Sequence, residues 1–112
     1  LAAPRLATGL WVQAQLRTCD LAAIPAMVRH RGDPEAGSVI VVHNRLGLGA
    51  IAFTRVTLEG GGAGWLRATG PAPVAESETE AYIARAIDRD PDTWVIEIED
   101  KDGRFALDAP VV

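Results

Sequence analysis

Val39-Ile40-Val41-Val42 constrains this chain more than any other stretch. Four β-branched apolar residues in a row do not alternate between a buried and a wet face. The strand they predict, Ser38 to Arg45, is therefore central in a sheet and covered on both sides. It needs strand neighbours at both edges and a packed layer above and below. No unbroken apolar stretch in the chain is longer than this run, far short of the ~20 residues of a membrane-spanning helix.

Turn chemistry divides the rest of the chain around that strand. Gly32-Asp33-Pro34-Glu35-Ala36-Gly37 is a dense turn, which makes Ala26 to Arg31 the first arm of a hairpin with the central strand. Leu46-Gly47-Leu48-Gly49 leads into a third strand, Ala50 to Leu58. Glu59 to Gly64 reads as a flexible tip, and Trp65 to Thr69 as a fourth strand ended by Gly70-Pro71. Ser77-Glu78-Thr79-Glu80 has the spacing of a capping box. The helix it opens runs to about Arg89, with Tyr82, Ile83, Ala86 and Ile87 on its buried stripe. Beyond Asp90-Pro91-Asp92, Trp94, Ile96 and Ile98 alternate with Val95, Glu97 and Glu99 in a half-buried strand. Asp102-Gly103 is a strong hairpin signal that sets Leu107 opposite Ile98.

The first element is a helix. Thr8 is placed to cap it, and Pro25 stops it. Between Leu10 and Ala23, one stripe holds Val12, Leu16, Cys19 and Ala23. A second holds Trp11, Ala14, Thr18, Leu21 and Ala22. Gln13, Arg17 and Asp20 share a polar edge only roughly 60° wide at ~100° per residue. Alternation of Leu10, Val12, Ala14 and Leu16 also fits a strand, but the Ala, Gln, Leu and Arg content favours helix. A helix this apolar calls for cover beyond one sheet face. The expected fold is a single α+β domain over residues 1–112: an antiparallel sheet of about five to six strands with two helices, in the order α-β-β-β-β-α-β-β.

Composition excludes several functions. The 112 residues are 48 % hydrophobic and 23 % charged, within the globular range. Cys19 is the only cysteine, so neither an internal disulfide nor a thiolate zinc site can form. The first residues lack the basic head and apolar body of a signal peptide, and the chain reads as cytoplasmic. Net charge is −4, but residues 1–56 carry +3 and residues 57–112 carry −7. No block of five like charges occurs, so the imbalance reads as solvated surface.

Sites of chemistry are sparse. In the hairpin register, His30 and His43 share a sheet face with Val28, Val39 and Val41, as expected of strand histidines with structural hydrogen bonds. No Gly-x-Ser-x-Gly elbow is present, and Cys19 has no basic sequence neighbour to activate it. Asp100-Lys101-Asp102-Gly103 begins like a calcium loop but lacks the distal glutamate. Gly60-Gly61-Gly62-Ala63-Gly64 feeds a strand rather than a helix, unlike a phosphate loop. These features predict no catalytic residue, metal site or cofactor. The least ordinary feature is the arginine-bearing strand, where Met27, Arg29 and Arg31 share a face with Ile40, Val42 and Asn44. Arg29, Arg31 and Asn44 are thus candidate contacts for an anion or a partner. An isoelectric point near 5.0 argues against nucleic acid.

Two stretches carry a family resemblance. One is Arg31-Gly32-Asp33-Pro34-Glu35-Ala36-Gly37-Ser38-Val39, followed by Asn44-Arg45-Leu46. The other is Asp90-Pro91-Asp92-Thr93-Trp94-Val95-Ile96-Glu97-Ile98-Glu99-Asp100, with Gly103-Arg104 and Leu107-Asp108. With Arg5-Leu6 and Leu10-Trp11-Val12, they resemble a family of small alphaproteobacterial proteins classed as a domain of unknown function. The resemblance implies a one-domain bacterial protein and carries over no catalytic residue. The expected function is a protein-interaction or regulatory module, partnered by itself as a homodimer or by another protein. The alternatives are RNA or anionic-ligand binding through the arginine strand, and a small-ligand or enzymatic pocket between the first helix and the sheet.

Overall fold

The computed structural model describes residues 6–112. The elements are α1 (Thr8–Leu21), β1 (Ala26–His30), β2 (Val39–Asn44), β3 (Ala50–Thr57), β4 (Ala63–Arg67), α2 (Glu76–Arg89) and β5 (Trp94–Glu99). They form the expected α+β fold of two helices and a five-stranded sheet, in the order β1-β5-β2-β3-β4. The sheet is mixed rather than antiparallel. β2 pairs antiparallel with β3 but parallel with β5, with Val39 beside Trp94 and Asn44 beside Glu99.

β1 and β2 are not a hairpin. β5 occupies the slot between them, antiparallel to β1. The loop joining β1 to β2 closes over the start of β5. Asp33 N–H donates to Asp92 C=O (3.0 Å), Trp94 N–H to Ser38 C=O (2.8 Å) and the Trp94 indole to Asp33 C=O (2.7 Å). A Cβ on Gly32 or Gly37 would lie 2.1 or 2.4 Å from Asp92 O, so both positions require glycine for the approach. The two family-like stretches thus meet in space and lock one another.

The central run behaves as its composition requires. Val39 and Val41 face a core with Trp11, Val12, Ile96 and Ile98 under α1, while Ile40 and Val42 face a second core with Ile83, Ala86 and Val95 under α2. Its cover on both sides comes from within the chain. Tyr82, Ile83, Ala86 and Ile87 form the buried stripe of α2, as expected. On α1 only the stripe of Val12, Leu16 and Cys19, with Trp11 beside it, packs on the sheet; Leu10 and Leu21 are exposed.

Among the described residues, no side chain caps either helix. Thr8 is the first residue of α1 and donates its hydroxyl to Gly37 C=O (3.0 Å); the N–H groups of Thr8 and Gly9 reach the Glu35 and Pro34 carbonyls. The docked loop does the work of a cap. α2 begins one residue before Ser77, and Glu80 bonds Arg29 instead of its own helix terminus, so the capping box does not form. Glu76 and Glu78 still favour the positive end of the helix. At its C-terminus α1 ends in a Schellman turn. Ala23 adopts φ 57°, with Ile24 N–H on Cys19 C=O and Ala23 N–H on Asp20 C=O.

The eighth element of the expected order is absent. Asp102-Gly103 turns the chain, but β5 already has β1 and β2 on its two edges, so a returning strand finds no partner there. Leu107 does not pair with Ile98. The segment crosses the α1 face instead, packing Phe105, Leu107 and Ala109 on the core. It reaches β4, where Trp65 N–H donates to Pro110 C=O and Val112 N–H to Trp65 C=O (both 2.8 Å).

Candidate functional site

A β-bulge decides where the arginine strand points. The register slips between Val28 and His30, so Arg29 and His30 together oppose Val95. Met27 and Arg29 share the α2 face with Ile40, Val42 and Asn44, as the pattern predicts. Past the bulge the alternation inverts, and Arg31 lies over the Trp94 ring at 5.5 Å on the α1 face. The same slip separates the histidines. His30 pairs with Val95 and contacts Thr93 C=O through Nδ1 (2.8 Å), while His43 stays on the α1 face beside Phe105.

Arg29 and Asn44 meet in one network. The Arg29 guanidinium grips Glu80 with both terminal nitrogens (2.6 and 2.8 Å) and reaches Glu97 at 2.9 Å. Asn44 donates to Glu76 (2.8 Å) and Glu97 (3.2 Å). The hydrogen bonds with Glu80 raise the Arg29 pKa above its ordinary value, and Arg29 holds the Glu80 carboxyl below its own. Two carboxylates, Glu80 and Glu97, hold the one guanidinium and a third, Glu76, joins the network through Asn44, an arrangement that disfavours an added anion.

The second cluster lies on the α1 face. Asp100, just past β5, is 3 % exposed. Its carboxylate accepts from Phe105 N–H (2.7 Å), Arg104 N–H (3.0 Å) and His43 Nε2 (2.9 Å). Burial alone would push this carboxyl up; the Phe105 amide, His43 and the Arg104 amide outweigh it and hold it below its ordinary range. A carboxylate only accepts, so His43 carries its hydrogen on Nε2. The ring borders a recess of about 200 Å³ lined also by Phe53, Phe105, Leu107, Ala109 and Val111. Burial raises the Cys19 thiol, and the Asp100 charge raises it further, which disfavours the reactive thiolate.

The third cluster latches the end of the chain. Asp108 accepts the Trp11 indole N–H on one oxygen (2.7 Å) and the Trp65 indole N–H on the other (3.0 Å). Arg55 lies over the Trp11 ring at 5.3 Å. Around them, Thr8, Glu35, Ser38 and Thr57 border a recess of about 410 Å³. Among the described residues, no three His, Cys, Asp or Glu side chains converge to hold a metal ion, and no helix is long and apolar enough to cross a membrane.

The profile of the family described as "Protein of unknown function (DUF1491)" matches residues 6–108. The chain belongs to the DUF1491 family. A crystal structure of a DUF1491 family protein from Caulobacter crescentus CB15 superposes with a TM-score of 0.86 at 38 % identity, over 96 % of this chain and 100 % of that one. An NMR structure of a DUF1491 family protein from the same organism gives 0.83 and 37 %, over 98 % and 99 %. A solution structure of protein Atu0922 from A. tumefaciens shares the fold, with a TM-score of 0.73 at 23 % identity over 86 % of each chain. No curated protein matches the chain.

Sequence reasoning singled out the Arg29 strand but missed the roles of Asp100 and Asp108. Asp100 had a local signal: an aspartate just before a turn accepts backbone N–H groups a few residues on. Asp108 had none, because its partners lie 97 and 43 residues away.

Proposed function

We propose that this chain is a cytoplasmic protein-interaction module of one α+β domain that acts as a homodimer, joined edge to edge at β1. The lone buried thiol, with no disulfide framework, supports the compartment. The β1 edge, unpaired among the described residues, carries the reading. The opposite edge, at β4, is closed by Pro110 and Val112, whereas β1 ends the sheet with apolar side chains in solvent. Met27 and Val28 are each 39 % exposed, and Leu10 of α1, which lines the same recess as Val28, is 55 % exposed.

The edge is self-complementary. Glu99 N–H donates to Pro25 C=O, so Pro25 and Met27 turn their peptide groups inward, and Ala26 and Val28 turn theirs out. A two-fold antiparallel pairing centred on Met27 sets Val28 opposite Ala26 of the second copy and Met27 opposite its own copy. Apolar meets apolar on both faces, and no like charges oppose. The Arg29 bulge and Pro25 confine pairing to this short register.

Light scattering at micromolar concentration tests the reading. The wild-type chain is expected to run as a dimer, and Val28→Lys as a folded monomer. A wild-type monomer, or a variant that remains dimeric, refutes it.

A further inference from the structure

We infer that the recess beside His43 is a binding site for a compact, mainly apolar molecule bearing one hydrogen-bond donor, such as a single-ring phenol or aryl amine. This site lies on the α1 face, over β2 and β3, and does not depend on the β1 edge. Its volume of about 200 Å³, open to solvent on one side, leaves room for one ring. Five of its six lining residues are apolar: Phe53, Phe105, Leu107, Ala109 and Val111. His43 is the sixth.

The chemistry of His43 gives the site its polarity. Asp100 ties Nε2 as the donor, which leaves Nδ1 of the neutral ring as an acceptor. Nδ1 makes no hydrogen bond among the described residues. No buried side-chain nitrogen or oxygen there lacks a partner, so Nδ1 is not sealed from solvent, and the His43 side chain lines the recess. Asp100 is fixed by two backbone amides, and the ring lies against Phe105 at 5.9 Å, so the acceptor is held before any ligand arrives. One oriented acceptor amid apolar walls is how a small pocket selects a ligand with a matching donor.

The test is NMR titration of the full chain at about pH 8, with phenol and toluene as probes. Phenol is expected to give saturable shifts at the amides of His43, Phe53, Phe105 and Leu107, and to move the His43 Nδ1 resonance. Phenol should bind about fivefold to tenfold more tightly than toluene, the size of one neutral hydrogen bond. His43→Phe should abolish that preference while keeping an apolar wall. If the variant does not fold, the comparison of the two probes and the Nδ1 shift on the wild-type chain decide alone. Absence of saturable shifts with phenol, equal affinity for both probes, or a preference unchanged in His43→Phe overturns the inference.

Discussion

Asp100→Asn is the most informative single substitution. The side chains are nearly the same size, so packing is kept and only charge and hydrogen-bond sense change. The carboxylate takes three donors at 2.7, 2.9 and 3.0 Å while almost wholly buried. An amide accepts on one arm only. Turning its nitrogen toward Arg104 N–H keeps the bonds from Phe105 and His43, each weakened by about 1 kcal/mol on losing the charge. The Arg104 amide then faces another donor, which adds roughly 1–3 kcal/mol. The expected loss is about 3–5 kcal/mol out of a total of roughly 5–15 for a domain of this kind. Urea denaturation at neutral pH measures it. The pH dependence is a second check. An unfolded aspartate titrates at about 3.9, and Asp100 in the fold titrates below its ordinary value, so its ionisation stabilises the fold above about pH 4. That contribution is lost as pH falls through the folded value. The gap between wild type and variant is therefore widest at neutral pH and narrows in acid. A loss below about 1 kcal/mol, or a gap independent of pH, refutes the account of Asp100 as a buried carboxylate held by the Arg104 and Phe105 amides and His43.

Two further substitutions probe the backbone. Gly37→Ala would place a Cβ 2.4 Å from Asp92 O and 2.9 Å from Asp33 O, both main-chain atoms; a loss of about 2–3 kcal/mol is expected on chemical denaturation. A change near zero would show that the β1–β2 loop yields without disturbing β5. Ala23→Gly should stabilise the chain by about 0.5–1 kcal/mol, because Ala23 closes the α1 Schellman turn at φ 57° where glycine carries no Cβ penalty. Calorimetry should show a melting temperature higher by a few degrees, and a lower one would contradict that reading of the turn.

Local pattern alone determined much of this protein. The Val39–Val42 run declared a central strand, the Tyr82-Ile83-Ala86-Ile87 stripe a helix facing the sheet, and Gly60 to Gly62 a hairpin tip, because each depends on residues within a few positions of one another; Ala63 and Gly64, also expected in that tip, pair in β4 instead. Sequence periodicity also placed Arg29 and Asn44 on a common face. It failed where partners are remote. The hairpin expected of β1 and β2 yielded to β5, whose turn signals fit an insertion between them as well as a return beside its own tail. That insertion used both edges of β5 and so left the Asp102-Gly103 turn without a strand to complete. A single bulge at Arg29 sent His30 and Arg31 to the faces opposite those expected, since a one-residue slip inverts every side chain beyond it. The Asp100 and Asp108 clusters are likewise products of tertiary structure. Hydrophobic period is written in neighbouring residues, whereas strand order, register and the convergence of distant polar groups are settled only when the whole chain packs.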